Sequence, residues 1–315
     1  NMEVENALPV IRAFSHFALL ANLAEDLYAE RLRDKAIDEG KPAPPSTLEY
    51  TWKKLEENQV SPEAVSDTME HIYVAPVMTA HPTETRRRTV FDVQADIAHY
   101  MRRRGRILNA GTTARSQQQL EEITKFIRRR ITVLWQTALI RSVRPRIEDE
   151  IKVGLRYYSL SLLEEIPAIN RDVVNNVKQR FGDQTSAPAM IRPGSWIGGD
   201  HDGNPYVTAE TVEQATSLAA QTIFERYGKI LYKLEQELSL STRISEVTRE
   251  LEALAERGHN DVPSRIDEPY RRALHGMRGR IAATAVRNLG TPIMPGGVHE
   301  SHEPYADPEE FLTDI

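Results

Sequence analysis

Three stretches of this chain carry helical periodicity well beyond the usual length of a globular helix, and only two short apolar segments break the pattern. From Ala7 to about Glu39, Leu8, Ile11, Phe14, Phe17, Ala18, Ala21, Ala24 and Leu27 recur at helical spacing. The runs from about Ser116 to Ser142 and from Arg146 to Phe181 repeat Leu, Ile and Val in the same way, and Pro167 should kink or divide the latter. A chain of 315 residues with two strand-like segments cannot close a sheet by itself. The expected class is therefore mainly α with a few short strands, which either pair locally or belong to something larger.

Boundary signals place the shorter elements. Lys41-Pro42-Ala43-Pro44-Pro45 forms a stiff connector, after which Ser46 opens a helix with Glu49 at capping-box spacing. Ser61-Pro62-Glu63 opens the next by cap and first-turn proline. Val74, Val77 and Met78 read as a buried strand bounded by Pro76 and Pro82. A helix follows from about Glu84 to Leu108. The second strand lies near Met190–Ser195, before a loop rich in turn formers, and Thr208 caps a helix that runs to about Leu238. Further helices end near Arg257 and at Leu289, where Gly290 is the C-cap, and a last short turn closes the chain. As organisation, residues 1–73 read as a helical lead-in, 74–182 as the first strand with long helices, and 183–315 as the second strand, its loop and more helices, all within one portion of a larger domain.

Charge is unevenly spread. The net formal charge is −6, which speaks against non-specific nucleic-acid binding. Yet Arg86 to Arg146 holds fifteen Lys and Arg against four Asp and Glu, so the remainder stands at about −17. Such segregation points to a local anion site or to pairing across helices. No run approaches the roughly 18 apolar residues of a membrane span, and no secretion signal is evident. With no cysteine there is no disulfide framework and no thiolate chemistry. A cytoplasmic protein is the expectation.

Two stretches carry candidate chemistry. His81 stands at a strand end, held extended by Pro82 and followed by Arg86-Arg87-Arg88. An imidazole near guanidinium groups suits a phosphorylated acid. Three consecutive helical arginines would sweep roughly 200° of circumference, so one should turn inward onto an anion. The alternative is a structural ion pair, for instance with Asp92 or Glu148. In the second stretch, Trp196 sits among Gly194, Gly198, Gly199 and Gly203, as a rigid apolar wall beside backbone free to approach a ligand; the alternative is a buried core tryptophan. Asp200-His201-Asp202-Gly203-Asn204 resembles the opening of a calcium loop, but glycine comes early and Thr211 replaces the bidentate glutamate, so turn-making is the better reading.

Val77-x-Thr79-Ala80-His81-Pro82-Thr83-Glu84-x-x-Arg87-Arg88 and Ser195-Trp196-Ile197-Gly198-Gly199-Asp200-His201-Asp202-Gly203-Asn204-Pro205 together resemble the two landmark motifs of the phosphoenolpyruvate carboxylase family, with His201 where many members carry arginine. The resemblance covers most of the chain. It implies the N-terminal part of a helix-rich (β/α)8 barrel, the whole being roughly three times this length. It also implies conversion of phosphoenolpyruvate and bicarbonate to oxaloacetate and phosphate, with Mg2+ held by ligands outside this stretch. His81 would assist breakdown of carboxyphosphate, and Trp196 would line the apolar pocket. Arg87 and Arg88 would bind an activating sugar phosphate near a subunit contact of a homotetramer. The glycine-rich substrate loop, the Tyr-Ser-Asp-Ser-x-Lys signature and the acidic metal ligands of the family are not in this sequence, so the expectation is a portion inactive alone. The reading set against it is a non-catalytic helical module whose arginines dock a phosphate-bearing effector.

Overall fold

The computed structural model describes residues 4–80, 87–111, 113–139, 146–202, 204–258, 262–293 and 302–315. The chain forms two compact units, one of residues 1–65 and 82–144, the other of residues 66–81 and 145–315. Among the described residues eleven α-helices stand beside one pair of two-residue strands, so the mainly α expectation holds.

Unit one is built on α1 (Val4–Asp38), α2 (Leu48–Glu57), α4 (Arg88–Asn109) and α5 (Ala114–Gln136). Thr113 caps α5 reciprocally with Ser116. The cap of α2 is Thr47 rather than Ser46. Its backbone N–H and its hydroxyl both bond the Pro44 carbonyl, closing a turn that places its oxygen over Tyr50 N. Val90, Val93 and Ile97, one stripe of α4, meet Leu134 of α5 in a core that Leu19, Leu20 and Leu23 of α1 cover.

Of the α1 stripe read from the sequence, Leu27 reaches the core but the first half does not. Leu8, Ile11, Phe14 and Phe17 are 64–70% exposed. The helix is apolar on more than one side, and unit one covers the side carrying His16, Leu19, Leu23 and Leu27. For the same reason Ala7–Asp38 is, by length and composition, apolar enough to cross a membrane, contrary to the sequence expectation, and only 6% of its most apolar stretch is buried. Polar contacts tie α1 to the end of α5. Arg12 donates to the Trp135 carbonyl and stacks on its ring, while His16 Nε2 lies 3.0 Å from the Leu134 carbonyl. These carbonyls belong to the last turn of α5, where intrahelical donors run out and the dipole attracts cations.

In unit two, α8 (Ala209–Glu237), α9 (Arg249–Arg257) and α10 (Pro269–Leu289) pack around Leu231, Leu274, Met277, Ile281 and Tyr305. Thr208 caps α8 and Gly290 ends α10 in the left-handed region, both as expected. The run from Arg146 to Phe181 is divided into α6 (Ile147–Tyr157), a π-helical turn (Tyr158–Leu162) and α7 (Leu163–Phe181). Pro167 has no N–H to give the Leu163 carbonyl, and the wider turn lies just ahead of it. A final helix, α11 (Pro308–Thr313), is held to α10 as Asp314 accepts from the Tyr305 hydroxyl at 2.9 Å and pairs with Arg280 at 3.1 Å. α3 (Pro62–His71), capped by Ser61 as expected, leads into the first strand.

The strands β1 (Val77–Met78) and β2 (Gly194–Ser195) run parallel, Val77 opposite Gly194 and Met78 opposite Ser195. The ladder extends on both sides. Val74 N donates to Met190 O, Arg192 N to Val74 O, Gly194 N to Pro76 O and Trp196 N to Met78 O, at 2.8–3.0 Å. β1 is not the buried strand expected. Val74 and Val77 are 52% and 46% exposed, because among the described residues it has a strand neighbour on one side alone.

Candidate functional site

The loop after β2 is built by local hydrogen bonds and by two glycines. Ser195 Oγ accepts from Ile197 N at 3.1 Å, and the Trp196 carbonyl accepts from Gly199 N and Asp200 N at 3.0 and 3.1 Å. Gly198 has φ +84°, and a Cβ there would sit 2.8 Å from Ala215 Cβ and 3.0 Å from Ile151 Cδ1. A Cβ on Gly154 of α6 would meet Ile197 Cδ1 at 2.6 Å. The loop thus lies flat on α6 and α8, with Ile197 seated over Gly154 beside a cavity of about 240 Å3. Trp196, next to this anchored residue, is 58% exposed and so stands outside the core of unit two. Gly198→Ala is expected to cost unit two roughly 2–4 kcal/mol, from left-handed strain and overpacking together, measured by denaturant unfolding.

Downstream, Asp200 Oδ1 accepts from Asp202 N at 3.2 Å and Asn204 Oδ1 from Tyr206 N at 3.1 Å. These are the turn-making bonds read from the sequence.

In unit one, Arg87 is the N-cap of α4 and Arg88 its first helical residue. The Arg87 N–H donates to the Leu139 carbonyl at 3.1 Å, which ties the start of α4 to the chain beyond α5. Both side chains are exposed, and Arg88 Nε lies 3.9 Å from Asp92 one turn on. Neither of these two arginines turns inward, and α4 itself starts only at Arg88. No acidic residue occupies the first turn of α4, so two cations stand at its positive end.

His81 and Arg86 lie outside the described residues. Trp196 belongs to unit two and Arg87 and Arg88 to unit one, each described within its own unit.

Sequence reasoning gave no sign of a buried charge cluster in unit two. Glu235 of α8 is 2% exposed and takes Arg265 Nη1 at 2.7 Å, Arg278 Nε at 3.1 Å and Arg278 Nη2 at 3.0 Å, with His275 Nδ1 at 3.6 Å. Burial alone would raise its pKa. Hydrogen bonding to His275 and Arg265 and the charge of Arg278 outweigh that and hold the carboxyl at about 2. Its partners are 30 and 43 positions away, so no local pattern announces it.

The family model described as phosphoenolpyruvate carboxylase matches residues 1–315, the whole chain. The chain belongs to the phosphoenolpyruvate carboxylase family. It is 62% identical over 308 residues to a phosphoenolpyruvate carboxylase of Corynebacterium glutamicum, covering 98% of this chain and 34% of that protein. It is 56% identical to that of Corynebacterium efficiens and 47% identical to that of Nocardia farcinica, covering all of this chain and 34% and 33% of those proteins. The chain thus spans about a third of the length of these carboxylases. Among the described residues no three His, Asp or Glu side chains gather where a metal could be held.

Proposed function

We propose that this chain is the N-terminal part of an enzyme that converts phosphoenolpyruvate and bicarbonate to oxaloacetate and phosphate. The observation that carries the reading is the parallel pairing of β1 with β2, which sets the end of β1, three residues ahead of His81 in the sequence, beside the start of the Trp196 loop. Reacting groups of (β/α)8 barrels stand at that end of the strands, and the open ladder agrees with β1 and β2 being the first strands of such a barrel.

In the proposed reaction bicarbonate attacks the phosphorus of phosphoenolpyruvate. The P–O bond to the enol breaks, giving carboxyphosphate and the enolate of pyruvate. Carboxyphosphate then loses phosphate to leave carbon dioxide, and the enolate methylene carbon attacks it to form oxaloacetate. His81 takes the carboxyphosphate proton, or stabilises the departing phosphate, as carbon dioxide is released. Trp196, exposed beside its anchored neighbour, forms an apolar wall that keeps water from the enolate. The metal, Mg2+ on this reading, is held by residues outside this chain, and the chain alone forms no oxaloacetate. Arg87 and Arg88 stand exposed at the positive end of α4 with Asp92 as a distant partner of Arg88, which supports a sugar-phosphate effector there; the whole protein is on this reading a cytoplasmic homo-oligomer.

The test is product analysis with this chain joined to the rest of the polypeptide. Trp196→Ala is expected to lower oxaloacetate formation by about tenfold and to raise the share of pyruvate, the product of enolate protonation. An unchanged product ratio overturns the role given to Trp196, and absence of carboxylation in the unmodified protein overturns the function.

A further inference from the structure

In unit one, several turns of α4 away from Arg87 and Arg88, the second half of α1 runs beside the last turns of α4. Arg102 Nε donates to both carboxylate oxygens of Glu30 at 3.0 and 2.9 Å, and Arg31 donates to Asn109 Oδ1 at 3.2 Å. Between the helices lies a cavity of about 320 Å3. Leu27, 6% exposed, and Met101 form an apolar floor, and Tyr28 stands 60% exposed at the rim. Gly105 of α4 is buried beside the Arg31 stem, which a Cβ there would meet at an ordinary contact distance of 3.7 Å.

The charges around this cavity do not balance. Arg31, Arg102, Arg104 and Arg106 line it against Glu30 and Asp34. Glu30 is engaged by Arg102, and Arg31 bonds a neutral amide. Arg104 and Arg106 form no ion pair among the described residues. Arg104 and Arg106 flank Gly105 on either side and Arg31 faces them from α1, so the lining carries two positive charges more than negative, and a ligand with two negative charges would balance it. Guanidinium forks match phosphate oxygens in pairs, and the floor of Leu27 and Met101 rewards a carbon body. The volume lies at the small end of organic-ligand sites.

We propose that this cavity binds a small organic phosphate, with Arg31, Arg104 and Arg106 on the phosphoryl oxygens and the carbon part over Leu27 and Met101. It is a different place from the start of α4, since Arg88 and Arg104 stand roughly 24 Å apart along the helix axis. It also differs in construction, having an apolar floor between two helices rather than an exposed helix end.

Calorimetric titration of the chain with phenyl phosphate, inorganic phosphate and malonate tests this. Phenyl phosphate is expected to saturate one site and to bind at least about tenfold more tightly than either simple anion, because it alone combines the phosphoryl group with an apolar body. Arg104→Gln with Arg106→Gln should weaken it by about tenfold or more, while Arg128→Gln with Arg129→Gln, which removes the same charge from α5, should change it less than about twofold. Asp34→Asn, which removes a carboxylate from the lining, should tighten it. No saturation by about 10 mM, equal affinity for malonate, equal loss in the two double variants or no tightening in Asp34→Asn each overturns the proposal.

Discussion

Glu235→Gln is expected to lower the stability of unit two by about 3–5 kcal/mol, the cost of leaving a buried ion without its partner. Arg278 is only 3% exposed, and its guanidinium meets the Glu235 carboxylate through two nitrogens. Gln keeps the shape and one acceptor oxygen but presents an N–H to a group that is itself all donor. Arg265 loses its charged acceptor in the same change. A fall in melting temperature of roughly 10 °C is the expected readout. The acid limb gives a second. Because the folded carboxyl is held at about 2 and its ordinary value is 4.5, its contribution is fully present above 4.5 and is lost as pH falls towards 2. Denaturant titrations between pH 5 and pH 2 should show that loss in the parent chain and a flatter limb in the Gln variant. A variant that melts within a degree or two of the parent overturns the account.

That cluster also marks where sequence stopped being informative. Signals that act within one turn were legible: Ser61 before Pro62, Thr208 before α8 and Gly290 after α10 stand where capping chemistry requires them. The cap of α2 moved to Thr47 because a bond to Pro44 closed the turn one residue later. Periodicity found α1 but not its orientation, since a helix apolar on several sides does not say which side its neighbours cover. The shortness and exposure of β1 depend on which strands lie beside it, which its own residues do not encode. At the candidate site, the glycines around Trp196 announced a tight loop. That Gly154, some forty residues earlier, makes room for Ile197 is a fact of packing between α6 and the loop.

His81→Asn, in the chain joined to the rest of the polypeptide, is expected to reduce oxaloacetate formation by roughly 10²–10⁴-fold, the range of a lost acid–base group. Asn has nearly the reach of an imidazole and can hydrogen-bond, but it carries no proton to and from a reacting oxygen near neutral pH. If the imidazole acts after phosphoryl transfer, the variant still forms carboxyphosphate and enolate. Water then intercepts both, so phosphate and pyruvate continue to appear and depend on bicarbonate, while oxaloacetate does not. If the imidazole instead serves phosphoryl transfer, all three products fall together. Retention of the parent's melting temperature in the Asn variant separates either outcome from misfolding, because the proposed role needs the ring only for chemistry. Oxaloacetate formation within about threefold of the parent would leave His81 no part in the reaction. The function would then have to rest on groups outside this chain, with the β1–β2 end serving only to hold the Trp196 wall.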